Sequence, residues 1–70
     1  MTNEEMQAKW HQLRGRVKEF WGELTGDDVQ FIAGQRELLI GKLEEKYGMS
    51  RAEAEQQVES FFASLRGPQN

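Results

Sequence analysis

One segment of this 70-residue chain occurs twice. Residues 13–22 (LRGRVKEFWG) recur as residues 39–48 (LIGKLEEKYG), with leucine, glycine, glutamate and the closing glycine at matching places. A turn and a hydroxyl residue follow each copy, Thr25 after the first and Ser50 after the second. The repeat therefore predicts a unit of one long helix plus a second, capped helix, present twice.

Capping residues indicate where these helices begin. Asn3 precedes two glutamates, a pattern typical of an N-cap with acidic residues in the first turn. Thr25 and Asp28 form an N-terminal capping signature, and Ser50 and Glu53 form a full capping box. We expect helices to start at these three places.

Glycines indicate where the helices end. Gly34 is expected to end or bend the second helix, so that a third runs from about 35 to 47. Gly48 is expected to be a left-handed C-cap, and Gly67 with Pro68 to stop the fourth helix.

The apolar residues of the first, third and fourth predicted helices share one face, at about 100° per residue. The stripe on the first helix is expected to form the first half of the core, and it consists of Met6, Trp10, Leu13, Val17, Phe20, Trp21 and Leu24. The short second helix holds Val29, Phe31, Ile32 and Ala33, the third helix has Leu39, Ile40, Leu43 and Tyr47 on one side, and the fourth has Ala54, Val58, Phe61, Phe62 and Leu65 on one face. The sequence predicts an all-α fold, a small four-helix bundle of two packed αα-hairpins. The predicted fold is a single domain over 1–70, with repeat units of about 6–33 and 34–66. A flat three-helix bundle is the alternative, if residues 27–33 form no separate helix.

Composition excludes several classes of function. No cysteine is present, so the chain has neither disulfides nor thiolate metal ligands, which fits a reducing cytoplasm. No secretory signal and no apolar run of membrane-spanning length is present. The net charge of −3 argues against nucleic-acid and membrane partners, because both attract positive charge.

We expect no catalytic, metal or cofactor-binding residues and no small-molecule substrate. His11 is the single histidine, and it lies on an early, exposed helix. The acidic pairs 27–28 and 44–45 lack the oxygen-rich loop spacing that Mg²⁺ or Ca²⁺ requires. The glycines are scattered, so the chain contains no phosphate-binding glycine loop.

Gly15 and Gly41, the repeated glycines, lie inside predicted helices and away from the apolar stripe. Each costs about 0.5–1 kcal/mol relative to alanine. One interpretation is that another helix crosses there or that the helix kinks; a second is a groove for self-association or a partner helix; a third is ancestry of the repeat alone.

A basic patch on the first helix is the second unusual feature, and it consists of Lys9, Arg14, Arg16 and Lys18. Aromatic residues among basic ones can indicate nucleic-acid binding. Here Trp10 and Trp21 fall in the apolar stripe, which favours the core. The basic residues are expected to pair with the nearby acids Glu5, Glu19 and Glu23.

Three segments carry a family resemblance: residues 9–19 (KWHQLRGRVKE), 21–28 (WGELTGDD) and 32–42 (IAGQRELLIGK). Together they closely resemble the CsbD-like family of small bacterial proteins, over about residues 7–60. The resemblance implies a helical stress-response protein whose molecular activity is not established across the family, with no catalytic residues to carry over. Ala8 departs from a frequent glycine, and His11 and Gln35 from a frequent lysine.

Phe61 and Phe62 add apolar surface to the last helix beyond the usual charged tail of that family. If both cannot be buried, one is left exposed and could seed a dimer.

We therefore expect a cytoplasmic, non-enzymatic interaction module for an unknown protein partner or for self-association, through Gly15, Gly41, Phe61 and Phe62. One alternative is a hydrophilic protectant, and another is a weak nucleic-acid binder through the basic first helix.

Overall fold

Five α-helices make up the described part of the chain, residues 2–65 of a computed structural model. They are α1 (Asn3–Ala8), α2 (Trp10–Phe20), α3 (Gly26–Ile32), α4 (Arg36–Tyr47) and α5 (Arg51–Leu65). No strand occurs within residues 2–65, so the predicted all-α class is confirmed. The three-helix alternative is wrong because α3 is a separate helix. The predicted stop at Gly67 and Pro68 lies outside the described residues.

The prediction of four helices is wrong because the first predicted helix bends at Lys9. The backbone there has φ −102° and ψ 7°, outside the helical region, and divides α1 from α2. The bend lies where Gly34 packs against the chain. A Cβ placed on Gly34 would lie 2.7 Å from the Cα of Gln7 and 3.2 Å from the Cβ of Trp10.

The N-cap of α1 is Thr2, so the prediction that Asn3 is its N-cap is wrong. The Thr2 hydroxyl accepts from the Glu5 backbone N–H at 3.1 Å, and the Glu5 carboxylate accepts from the Thr2 N–H at 3.0 Å. Asn3 caps a different helix instead. Its Oδ1 accepts from the backbone N–H of Arg36 at 2.8 Å, at the start of α4, whose own N-cap Gln35 forms no side-chain cap.

The other predicted helix ends agree closely with the structure. Gly34 directly follows the left-handed C-cap of α3, Ala33 (φ 49°), and itself has φ 80°. Gly48 is the left-handed C-cap of α4, with φ 66°. The Ser50 hydroxyl accepts from the backbone N–H of Glu53 at 3.1 Å, as a capping residue of α5 would.

The repeated segments form similar helices with different ends. In the first copy α2 stops at Phe20, and Trp21 is extended, with φ −122° and ψ 91°. In the second copy α4 continues through Tyr47. The early stop turns the Trp21 indole into the core, where its N–H donates to Gln57 Oε1 at 3.2 Å. Duplication stays an interpretation of the sequence, since the two halves are not packed identically.

The core closely follows the predicted apolar faces. Its buried members are Met6, Trp10, Leu13, Val17, Trp21, Leu24, Val29, Ile32, Leu39, Ile40, Leu43, Ala54, Val58, Phe61 and Phe62. Phe20 and Tyr47 lie on predicted apolar faces but are exposed, and so are Phe31 and Ala33 of the predicted second helix. Phe31 points outward because Val29 and Ile32 occupy the inward side of the short helix α3.

Asp28 is a buried carboxylate that joins α3 to α4. It completes the predicted capping box, accepting from the Thr25 N–H at 2.9 Å while Thr25 Oγ1 accepts from the Asp28 N–H at 3.1 Å. It also lies 3.1 Å from Lys46 Nζ and 3.4 Å from Lys42 Nζ. The Thr25 N–H and these ammonium groups hold the pKa of Asp28 well below its usual range, against the opposing effect of burial.

Asp28 makes folding stability depend on pH. Because its pKa is lower in the folded state than in the unfolded state, its contribution is complete above about pH 5 and is lost as the pH falls toward 2. We expect Asp28→Asn to lower the free energy of unfolding at pH 7 and to weaken its fall between pH 7 and 2.5, measured by urea unfolding. The matched control is the same substitution at the exposed neighbour, Asp27→Asn, which leaves the contacts of Asp28 in place. An unchanged pH dependence in Asp28→Asn would contradict this role.

Gly34 should be the glycine that the fold tolerates changing least. Gly34→Ala combines left-handed backbone strain with a contact to backbone at 2.7 Å, so we expect a loss of about 2–4 kcal/mol in the free energy of unfolding. Gly48→Ala has the same strain without any atom within 4 Å, and should cost about 1–2 kcal/mol. Equal losses in thermal or urea unfolding would show that the close approach of Gly34 contributes nothing.

Candidate functional site

The short helix α3 has a groove on each side. The first, which we call the Gly15 groove, has a volume of about 260 Å³ and is lined by His11, Arg14, Gly15 and Lys18 of α2 and Gly26 and Val29 of α3. The second, the Gly41 groove, has a volume of about 270 Å³ and is lined by Phe31 of α3 and Glu37, Leu38, Gly41, Lys42 and Glu45 of α4. The repeated glycines thus occupy corresponding places in two grooves.

Neither repeated glycine is an internal packing contact. Gly15 lies within the unbroken helix α2 and Gly41 within the unbroken helix α4. Both are exposed, and a Cβ built on either has no described atom within 4 Å apart from its own helix backbone. The interpretation that a helix crosses there, or that the helix kinks, is therefore wrong for the described chain.

Buried polar contacts fix the helix that separates the grooves. The Trp10 indole N–H donates to the backbone carbonyl of Val29 at 3.2 Å, which ties α2 to the middle of α3. Asp28 ties α3 to α4 through Lys42 and Lys46. Both grooves are consequently bounded by helices whose relative positions are set within the core.

The Gly41 groove combines an apolar surface with charged edges. Phe31 is 58% exposed, and Leu38 is half-buried beside it. Lys42 Nζ lies 4.9 Å from the centroid of the Phe31 ring and 3.3 Å from Glu45 Oε1. The hydrogen bond to Glu45, followed by that to Asp28, raises the pKa of Lys42, so this lysine stays charged.

Glu37 lines the same groove, and its carboxylate binds Arg51, which lies outside the groove. Arg51 Nη2 lies 2.8 Å and 2.9 Å from its two carboxylate oxygens. The carboxylates of Glu37 and Glu45 nevertheless remain largely exposed. The groove therefore presents one aromatic ring between two accessible acidic groups.

The Gly15 groove is cationic. Arg14 Nη2 lies 3.0 Å from His11 Nδ1, and since a guanidinium only donates, Nδ1 accepts and the ring proton lies on Nε2. Lys18 Nζ reaches the start of α3, where a Cβ on Gly26 would lie 3.9 Å away. None of the residues lining this groove is acidic.

The predicted pairing of the basic patch with Glu5, Glu19 and Glu23 produces no close ion pair in the described chain. Only Lys9 acts on one of these acids: the pKa of Glu5 is lowered first by its hydrogen bond to the Thr2 backbone N–H and also by the charge of Lys9. No carboxylate oxygen of the described residues lies within 4.0 Å of a side-chain nitrogen in the patch. For the groove cations, Glu19 follows Arg14 by five residues and Lys18 by one, spacings that place it on another face. Glu23 lies beyond the end of α2, and the Glu5 carboxylate bonds to the Thr2 N–H.

The basic patch also divides in the structure. Arg14 and Lys18 line the Gly15 groove with His11, whereas Lys9 and Arg16 do not. The four basic residues of α4 and α5 within the described chain behave differently, since each forms an ion pair: Arg36, Lys42, Lys46 and Arg51. Basic side chains without an ion pair are therefore confined, within the described chain, to the segment of residues 9–18.

Phe61 and Phe62 belong to the core and line neither groove. They are 1% and 2% exposed. Phe61 packs against Trp21 with ring centroids 5.1 Å apart, and half-exposed Phe20 covers it at 5.3 Å. Both phenylalanines are thus buried, and neither supplies the exposed apolar surface considered for a dimer.

Phe31 is an exposed residue of the Gly41 groove that sequence reasoning missed. The sequence assigned it only to the short second helix, without a face, although it follows Val29 by two positions and precedes Ile32 by one. At about 100° per residue, it cannot share the inward side of a helix with both. That spacing is the signal that could have identified it.

Two negative findings apply to residues 2–65. No group of three or more histidine, cysteine or acidic side chains is arranged to hold a metal ion there. No helix in that range is both long and apolar enough to cross a membrane.

Comparison with known proteins places the chain in a family. A sequence model described as CsbD-like matches residues 4–56. The chain is 49% identical to the UPF0337 protein PA4738 of Pseudomonas aeruginosa over 65 residues, covering 93% of this chain and 100% of that protein. It is 45% identical to the UPF0337 protein YjbJ of Escherichia coli K12 over 58 residues, covering 83% and 84%. Comparison with solved structures gave no significant match. With most of its length matched by the family model and by these relatives, the chain belongs to the CsbD-like family.

Proposed function

We propose that the protein is a cytoplasmic, non-enzymatic interaction module of the bacterial stress response, which binds a protein partner through the Gly41 groove. The observation that carries this proposal is an exposed glycine in the middle of an intact helix, beside an exposed phenylalanine. Family membership supports the stress-response context, and the absence of cysteine fits the cytoplasm.

Gly41 lowers the stability of the helix in which it lies. A glycine inside an exposed helix costs about 0.5–1 kcal/mol relative to alanine, and no neighbouring side chain or crossing helix requires one at position 41. In a domain this small that cost is a substantial fraction of the roughly 3–5 kcal/mol a single core supplies. Space for the close approach of another molecule explains a glycine here.

The surroundings of Gly41 indicate the chemistry of the partner. Phe31 and Leu38 offer apolar contact, and burying exposed aromatic area contributes strongly to interfaces. Glu37 and Glu45 stand on the same groove with accessible carboxylates. A helix or extended segment with one apolar side chain flanked by basic residues would match this pattern.

The repeated glycines should limit stability rather than support it. We expect Gly15→Ala and Gly41→Ala each to raise the free energy of unfolding by about 0.5–1 kcal/mol, because a Cβ meets open space in an intact helix. Urea unfolding of the two single variants and the double variant measures this. A loss of stability in either would restore a structural reason for that glycine.

Partner binding should be lost when the Gly41 groove is filled. We expect the tagged wild-type chain, crosslinked in stressed bacterial cells, to capture one enriched protein, and Gly41→Met or Phe31→Ser to lose it without loss of folding. The matched control is Gly15→Met, which fills the other groove and keeps the capture.

Two outcomes would contradict the proposal. Equal capture by Gly41→Met and wild type would mean that the Gly41 groove is not the binding surface. No capture at high expression would favour the alternative of a hydrophilic protectant, whose effect does not depend on one surface.

A further inference from the structure

We infer that the Gly15 groove is a phosphate-binding site, in which Arg14 and Lys18 hold the phosphate oxygens beside His11. This site is separate from the Gly41 groove, and the inference does not depend on the proposed protein partner. Its ligand class is a phosphate-bearing anion, either a free phosphate compound or the backbone of a nucleic-acid strand.

Ion pairs are unevenly distributed among the basic residues of the described chain. In a chain of 12 acidic and 9 basic residues, excess carboxylate is available to most cations. Every basic residue of α4 and α5 in the described chain has such a partner, whereas Arg14 and Lys18 have none within 4.0 Å. A solvated cation alone indicates little, because surface ion pairs contribute little energy. Two such cations lining one concave surface are available for an external anion.

The hydrogen-bond donors that line the Gly15 groove suit phosphate oxygens. Arg14 carries a planar set of N–H donors suited to phosphate oxygens, and Lys18 adds a mobile point charge. Arg14 is also positioned, since its Nη2 lies 3.0 Å from His11 Nδ1. That contact leaves the proton of the neutral His11 ring on Nε2, which adds a donor. No carboxylate lines the groove to compete with the ligand.

The Gly15 groove also has room for a phosphate group. Gly15 and Gly26 line the groove without side chains, and a Cβ on Gly26 would approach Lys18 Nζ to 3.9 Å. The volume of about 260 Å³ lies below the roughly 300–1,000 Å³ of sites for drug-sized ligands. A phosphate group fits this size better than a whole cofactor does.

The groove is also fixed before any ligand arrives. The buried contact between the Trp10 indole N–H and the Val29 carbonyl, at 3.2 Å, sets the distance between its two helices. A site whose walls do not have to be ordered on binding loses less affinity to conformational entropy.

The test is an NMR titration of the full chain at constant ionic strength. Inorganic pyrophosphate is the first probe, and a short single-stranded oligonucleotide is the second. We expect saturable shifts of backbone amides confined to residues 11–18 and 26–29. Arg14→Gln with Lys18→Gln should weaken binding at least about tenfold, as expected for loss of charge-assisted hydrogen bonds.

A matched double variant separates the site from general electrostatics. Lys9→Gln with Arg16→Gln makes the same change in net charge within the same basic segment, residues 9–18, but alters no residue that lines the groove. It should leave the dissociation constant within about twofold. Gly15→Met should abolish binding without any change in charge, whereas Gly41→Met should not.

Each outcome of the titration either identifies the ligand class or contradicts the inference. Pyrophosphate binding that the oligonucleotide does not exceed would identify a free phosphate compound. Tighter oligonucleotide binding, weakened by the same variants, would identify a nucleic-acid backbone. Equal weakening by the two double variants, or no saturable shift with either probe, would overturn the inference. Since the Gly41 groove takes no part in this test, its result leaves the proposed protein partner unaffected.

Discussion

The position of α3 depends on one buried carboxylate. A helix of seven residues is far below the length of about 12–15 at which isolated helices become even marginally stable in water, so tertiary contacts must hold it. Asp28 satisfies the N-terminal N–H of Thr25 and, through the same carboxylate, binds two lysines of α4. At the other side, the Val29 carbonyl receives the Trp10 indole N–H. Because α3 forms one wall of both grooves, the candidate binding surfaces exist only while these contacts hold.

Glycine has two opposite roles in this fold. Gly34 is buried, has a positive φ and approaches the backbone of Gln7 so closely that a side chain cannot fit. Gly15 and Gly41 are exposed, helical and surrounded by open space. The first glycine is therefore required by packing, whereas the other two lower helix stability without an internal reason. Such a cost at a surface is expected where function rather than folding selects the residue.

Charge divides the surface in a similar way. The cations of α4 and α5 are occupied by carboxylates, and one of them, Lys42, also contacts the exposed ring of Phe31. The cations of α2 face solvent around the Gly15 groove. The two grooves thus differ in chemistry although the repeated segments that form them are alike: one is apolar with acidic edges, and the other is cationic. A small member of the CsbD-like family can in this way present two distinct surfaces on one core.

The sequence by itself determined the features that depend on neighbours along the chain. The capping box of Thr25 and Asp28, the left-handed Gly48 and most of the core could be predicted, because capping uses hydrogen bonds within one turn and burial follows the helical period. Only tertiary structure decided the bend at Lys9, the capping of α4 by Asn3 and the open space beside Gly15 and Gly41, where a crossing helix was the alternative. Each of these depends on which segment lies against which. Contacts between residues distant in the chain are set by the packing of whole helices, and a local pattern does not encode that packing.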